Sequence, residues 1–113
     1  MTFIPKFRVV EDGQGGVIKF KQPSAEEWSR YGQLAVPSLV GGELAVREDT
    51  VARRLEFFEL WCTEMSGYQN EDGEITKPDQ LPVDLRLTAL WRAFDRGWDL
   101  KLQKNSGGIS VNT

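Results

Sequence analysis

VARRLEFFELWCTEMSGYQNEDGEITKPDQLPVDLRLTALWRAFDRGW, residues Val51 to Trp98, is the stretch that decides how this chain reads. It consists of two aromatic-rich amphipathic segments joined by a polar, acidic loop. In the first, Val51, Leu55, Phe58, Cys62 and Met65 recur at spacings of four, three, four and three. That is one continuous apolar stripe at the helical period. Phe57 and Trp61 widen the stripe to an arc of roughly 160° at about 100° per residue, with Leu60 on the opposite side. Glu48 and Asp49 suit the positive end of a helix, and Gly67 is a natural stop. The pattern predicts one main helix running almost to Gly67. A further helix is expected from Pro82, a favourable first-turn residue. Its apolar face is Val83, Leu87, Leu90, Phe94 and Trp98, with Trp91 beside them. Arg86, Arg92, Asp95 and Arg96 fill the remainder of its surface.

Upstream, FRVVE and VIKFK flank the turn DGQGG and read as a β-hairpin. A hairpin this small needs cover on one face. Pro23-Ser24-Ala25-Glu26-Glu27 is a helix start, with Ser24 and Glu27 at capping-box spacing. Trp28, Tyr31 and Ala35 share one side of that short helix; Gly32 weakens it and Pro37 stops it. The segment PSLVGGELAV reads as an irregular connection, flexible at Gly41-Gly42. The expected fold is α+β and mainly α-helical: an N-terminal β-hairpin packed on about three helices. One domain spans residues 1–100, followed by a flexible glycine- and serine-containing tail over 101–113.

The chain has 113 residues, which fits one core. A net charge of −3 argues against a dedicated nucleic-acid or anionic-membrane binder, since phosphate contacts need a concentrated basic surface. Cys62 is the single cysteine, so no intrachain disulfide forms. The N-terminus lacks the apolar core of a signal peptide, and no apolar run approaches a membrane span. The default location is a cytoplasm.

Chemistry is sparse. There is no histidine. Asn70, Asp72, Gly73, Ile75 and Asp79 fall in EF-hand register, but Tyr68 takes the first ligand position and the twelfth lacks glutamate. An Asp-Gly turn is the simpler reading. Cys62 lies on the apolar stripe with no activating base, as a buried small hydrophobe does. Glu48, Asp49, Glu56, Glu59 and Glu64 are spaced to pair, yet Arg53 lies in range of Glu56 for an ordinary surface ion pair. Arg86, Arg92 and Arg96 beside Trp91 and Trp98 suit a stacking nucleic-acid surface, a reading the net acidity opposes. Catalytic residues, metal ligands and cofactors are therefore not assigned. Four Trp and six Phe are a large apolar load for so small a domain: either they all pack into a core with helices buried on more than one face, or some remain for an interface. Phe57, Leu60, Trp61, Trp91 and Trp98 are the candidate protein-interface residues.

The order of these elements resembles the tail assembly chaperones of long-tailed bacteriophages and prophages. The likeness rests on Pro23-Ser24-Ala25-Glu26-Glu27-Trp28, Gly67-Tyr68 and Asp72-Gly73. Leu81-Pro82 with Arg86, Ala89 and Leu90 completes it. It spans residues 3 to about 98, with Arg86 where lysine is commoner in that family. These are motifs of capping, turning and burial rather than of chemistry. The resemblance implies a non-enzymatic protein of the host bacterial cytoplasm, absent from the mature virion. Its implied partners are the tape measure protein, which it keeps soluble, and the tail tube protein; it is also implied to self-associate. A longer product made by a −1 frameshift near Gln103-Lys104-Asn105 is a further implication. The alternatives are a structural virion head–tail joining or tail completion protein and, behind it, a small metal-dependent enzyme.

Overall fold

A computed structural model describes residues 1–34 and 37–96. The N-terminal hairpin forms as expected: β1 (Phe7–Glu11) pairs antiparallel with β2 (Val17–Lys21), Val10 opposite Ile18. Asp12 closes the turn, its Oδ1 accepting the backbone N–H groups of Gln14 and Gly16 at 2.8 and 2.9 Å. α1 (Ala25–Gly32) starts at the expected capping box. The Glu27 N–H donates to Ser24 Oγ at 3.2 Å, and the Ser24 N–H donates to Glu27 Oε1 at 3.0 Å. Two orphan amides of the helix start are thereby satisfied.

The segment read as irregular is a second hairpin. β3 (Ser38–Val40) pairs with β4 (Glu43–Ala45), Leu39 opposite Leu44. Gly41 and Gly42 both have positive φ, 59° and 85°, which a two-residue hairpin turn of the primed type requires.

The main helix, α2, runs from Glu48 to Trp61 and then gives way to a strand, β5 (Cys62–Ser66). This corrects the expectation of a helix reaching nearly to Gly67. β5 joins β2 on its open side, giving the sheet order β1-β2-β5. Its register explains the misleading periodicity. Phe20 pairs with Cys62 but Lys19 pairs with Glu64, so Thr63 is an extra residue in a β-bulge. In a regular strand, residues three apart point to opposite faces. The bulge returns Cys62 and Met65 to the same side, and both pack on the core. Their spacing therefore mimics a helical step.

A tight third hairpin follows, β6 (Gln69–Asn70) with β7 (Gly73–Glu74), and then a 3-10 turn, Pro78–Gln80. α3 spans Val83–Leu90 and continues into a π-helical turn, Trp91–Asp95. There the Arg96 N–H donates to the Trp91 carbonyl at 3.1 Å, five residues back. With seven strands among the described residues, the fold is a small α+β domain in which strands take a larger share than the sequence indicated.

The core is aromatic. Phe20, Phe58 and Trp61 are fully buried; Phe94 is nearly so. Phe20 meets Phe58 and Phe94 edge-on at centroid distances of 5.4 and 5.3 Å, and Trp61 lies 4.5 Å from Phe94. Such offset and edge contacts are the favourable aromatic geometries. The hairpin is thus covered, as expected, by α2 and the π turn.

α2 buries a face rotated from the predicted one. Its buried residues are Thr50, Arg54, Phe58 and Trp61, while Val51 and Leu55 are only half-buried. A buried arginine on that face is made possible by the π turn. Widening the helix there turns Ala93 and Phe94 inward and brings Asp95 under α2. Asp95 Oδ2 accepts hydrogen bonds from Arg54 Nη1 at 2.9 Å and Tyr31 Oη at 2.5 Å. Arg54 Nη1 also donates to Tyr31 Oη. The Arg54 and Asp95 side chains are 1% and 7% exposed, so this is a desolvated ion pair inside the aromatic core. Burial, then the adjacent Asp95 carboxylate, pushes the Tyr31 phenol far above its ordinary value.

Candidate functional site

The interface candidates from sequence separate into different environments. Trp61 is not a surface residue: it is fully buried, and its indole N–H donates to Glu27 Oε1 at 3.1 Å. That corrects its assignment. The reason is the π turn, which packs Phe94 against the side of α2 that the sequence left at the edge of its stripe. The same Glu27 caps α1, and hydrogen bonds from Ser24 and Trp61 hold its carboxyl below the usual range. Phe57 is half-buried against Tyr31 and Trp61, at 5.2 and 4.9 Å. Leu60 is 46% exposed on the outer side of α2. Trp91 is half-buried on the outer side of the π turn. Trp98 and Ala35 lie outside the described residues, as do the tail over 101–113 and the Gln103-Lys104-Asn105 site.

The site the sequence missed is the outward face of α3. Asp84, Thr88 and Arg92 follow one another at four-residue steps and form a ridge with a groove on each side. One groove, about 360 Å³, lies between α3 and the β3–β4 hairpin. Leu39, Leu44, Leu87 and Trp91 supply its apolar walls; Glu43, Arg92 and Arg96 supply its charge. Leu39 and Val40 of that hairpin are 58% and 63% exposed, so the apolar surface continues beyond the groove. The other groove, about 280 Å³, lies between α3 and the first hairpin. Its floor is Val10, Ile18, Leu85 and Ala89, and its rim holds Asp12 and Tyr68. Gly16 lets the chain pass close here: a Cβ at that position would overlap the Tyr68 ring and Asp12, so those side chains would have to shift. Burial, then the Asp12 carboxylate, raises the Tyr68 phenol, with Arg92 opposing them. Gly-Gly between two apolar pairs was the signal that could have located the second hairpin, and with it the first groove.

Arginine placement is mixed. Arg92 and Arg96 sit on the groove walls, whereas Arg86, expected on an exposed face, is 9% exposed and its Nε has no hydrogen-bond partner. The three do not share one surface.

The residues in EF-hand register form a turn. Asn70 Oδ1 accepts the Asp72 N–H at 2.8 Å, the Ile75 N–H donates to the Tyr68 carbonyl at 2.9 Å, and Ile75 is buried. Asn70 therefore spends its oxygen on its own backbone, and Asp79 lies apart in the 3-10 turn. Among the described residues no cluster of three or more His, Cys, Asp or Glu is placed to hold a metal. Cys62 is half-buried, which pushes its thiol up; its Sγ donates weakly to the Glu64 carbonyl at 3.9 Å. Glu64 pairs across strands with Lys19 at 3.7 Å, and Glu48, Asp49, Glu56 and Glu59 lie on the exposed side of α2. No described helix is long and apolar enough to cross a membrane.

Grooves with apolar walls, a half-buried Trp and two arginines at the rim have the composition of protein-recognition surfaces. No known family, curated protein or solved structure matches the chain.

Proposed function

We propose that this protein is a tail assembly chaperone of a long-tailed bacteriophage or prophage, acting without catalysis. It binds the tape measure protein in the host bacterial cytoplasm, keeps it soluble while tail tube protein assembles around it, and is left out of the mature virion. The observation that carries the reading is the grooved outer face of α3, flanked by the exposed Leu39 and Val40. A long helical client exposes apolar stripes that aggregate unless covered, and a grooved apolar surface is suited to cover them. The order of elements adds support. The capping box at Ser24, the Asp72-Gly73 turn and the Leu81-Pro82 entry to α3 are consistent with the resemblance, although α2 ends at Trp61 rather than near Gly67-Tyr68. Self-association belongs to the same proposal, with the exposed Leu60 and half-buried Phe57 of α2 as its surface in place of the buried Trp61.

The test is a comparison of compartments. Quantitative mass spectrometry should find the chain in infected or induced cells in complex with a very long helical protein encoded close by. It should find the chain missing from purified particles. Stoichiometric recovery in particles would favour a head–tail joining or tail completion protein and overturn the chaperone reading.

A further inference from the structure

We infer that the outer face of α3 takes a single amphipathic helix laid antiparallel along it, and that charge fixes this direction. The inference rests on the chaperone reading for the identity of the client, and adds where and how that client is held. Three observations carry it. First, the two grooves share Asp84, Thr88 and Arg92, so they are the two sides of one ridge rather than separate sites. A helix centred over the small, exposed Thr88 can lower one row of apolar side chains towards Leu85 and Ala89. It can lower a second row towards Leu87 and Trp91. This is ridge-into-groove packing, in which a small residue at the contact allows a closer approach of the two axes.

Second, the ridge is electrically polarised. Asp84 stands in the first turn of α3, and Arg92 and Arg96 stand at its far end. At about 1.5 Å per residue, Asp84 and Arg92 are separated by about 12 Å along the axis. Third, the Arg92 and Arg96 side chains make no ion pair or hydrogen bond within the described residues, although they flank an apolar wall. Arginine beside a half-buried Trp is a combination of residue types that dominates binding interfaces. The complement is a helix with an acidic residue about two turns before a basic one. Acidic starts and basic ends are what helix dipoles favour. Such a helix meets Arg92 with its acidic start and Asp84 with its basic end only when it runs antiparallel to α3.

The test uses the full chain and overlapping peptides that tile the very long helical protein that the chaperone reading expects to be encoded beside it. Binding is read by fluorescence anisotropy. The peptides that bind should carry an acid about two turns before a base along their apolar stripe. Exchanging that acid and base should weaken binding about tenfold, because the exchanged helix either brings like charges together or must reverse along the two grooves and lose its apolar fit. Thr88→Trp, at an exposed position, should weaken it at least about thirtyfold, the size of an interface hot spot. Glu59→Trp, on the exposed side of α2, should leave affinity unchanged, and both variants should keep the wild-type melting temperature. Undiminished binding by Thr88→Trp, or indifference to the charge exchange, overturns this inference while leaving the chaperone reading in place. Failure of every peptide and of the intact long protein to bind overturns both.

Discussion

Replacing Asp95 with leucine tests the packing account at its most sensitive point. Asp95 receives both Arg54 and Tyr31, and the Arg54 side chain is only 1% exposed. Asp95→Leu therefore leaves a guanidinium in an aromatic core with the Asp95 carboxylate removed. Breaking one side of a buried pair costs about 3–5 kcal/mol. Domains of this class are stable by about 5–15 kcal/mol, so the loss is a large fraction of the total. At roughly 4–8 °C per kcal/mol, the melting temperature should fall by about 12 °C or more. Arg54→Met alone should also destabilise, because it strands the Asp95 carboxylate. The triple change Arg54→Met, Asp95→Leu and Tyr31→Phe should recover most of the loss, since apolar groups of similar volume replace a buried polar network at little net cost. The assay is urea unfolding followed by circular dichroism, with m-values compared to confirm a common two-state reference. A cost below about 1 kcal/mol for Asp95→Leu would refute the buried pair, as would a triple variant no more stable than the sum of its parts.

Trp61→Ala should cost about 3–5 kcal/mol and reduce helical circular dichroism, because Trp61 is a core residue; an unchanged unfolding curve would return it to the surface. Stability should decline as pH rises above about 10. The Tyr31 phenol titrates higher in the folded state than in the unfolded one, so in that range the folded state holds more protons and its advantage shrinks with pH. Tyr31→Phe should flatten that slope, read from urea midpoints against pH. Gly67→Ala should destabilise by more than about 1 kcal/mol, since φ is +82° there and the added Cβ would overlap the Gly15 carbonyl. A wild-type melting curve would contradict the close approach of the two turns. Calorimetry should show no micromolar calcium binding at the Tyr68–Leu81 segment; a transition abolished by Asp72→Ala would overturn that.

Local signals were legible where one residue type has one cause. Ser24 and Glu27 announced a helix start because a capping box requires that pair at that spacing. Asp72-Gly73 announced a turn, and the strands around DGQGG announced a hairpin. Period alone failed where the backbone departs from regular geometry. The bulge at Thr63 gave a strand the spacing of a helix. The π turn from Trp91 to Asp95 gave α3 a buried face that no uniform period of 3.6 describes. Arg54 was hidden from sequence reasoning because its partner lies 41 residues away on that turn. The grooves beside α3 were legible only in part: Trp91 was named, but Leu39 and Leu44 join it only after the Gly41-Gly42 turn folds their hairpin beside α3.

Co-expression tests the chaperone claim most directly. A chaperone of this kind requires a long helical protein encoded beside this chain; that protein should be insoluble when made alone and should pass into the soluble fraction, in complex, when this chain is made with it. If that protein is equally soluble without its partner, or stays aggregated in its presence, the chain is not its chaperone.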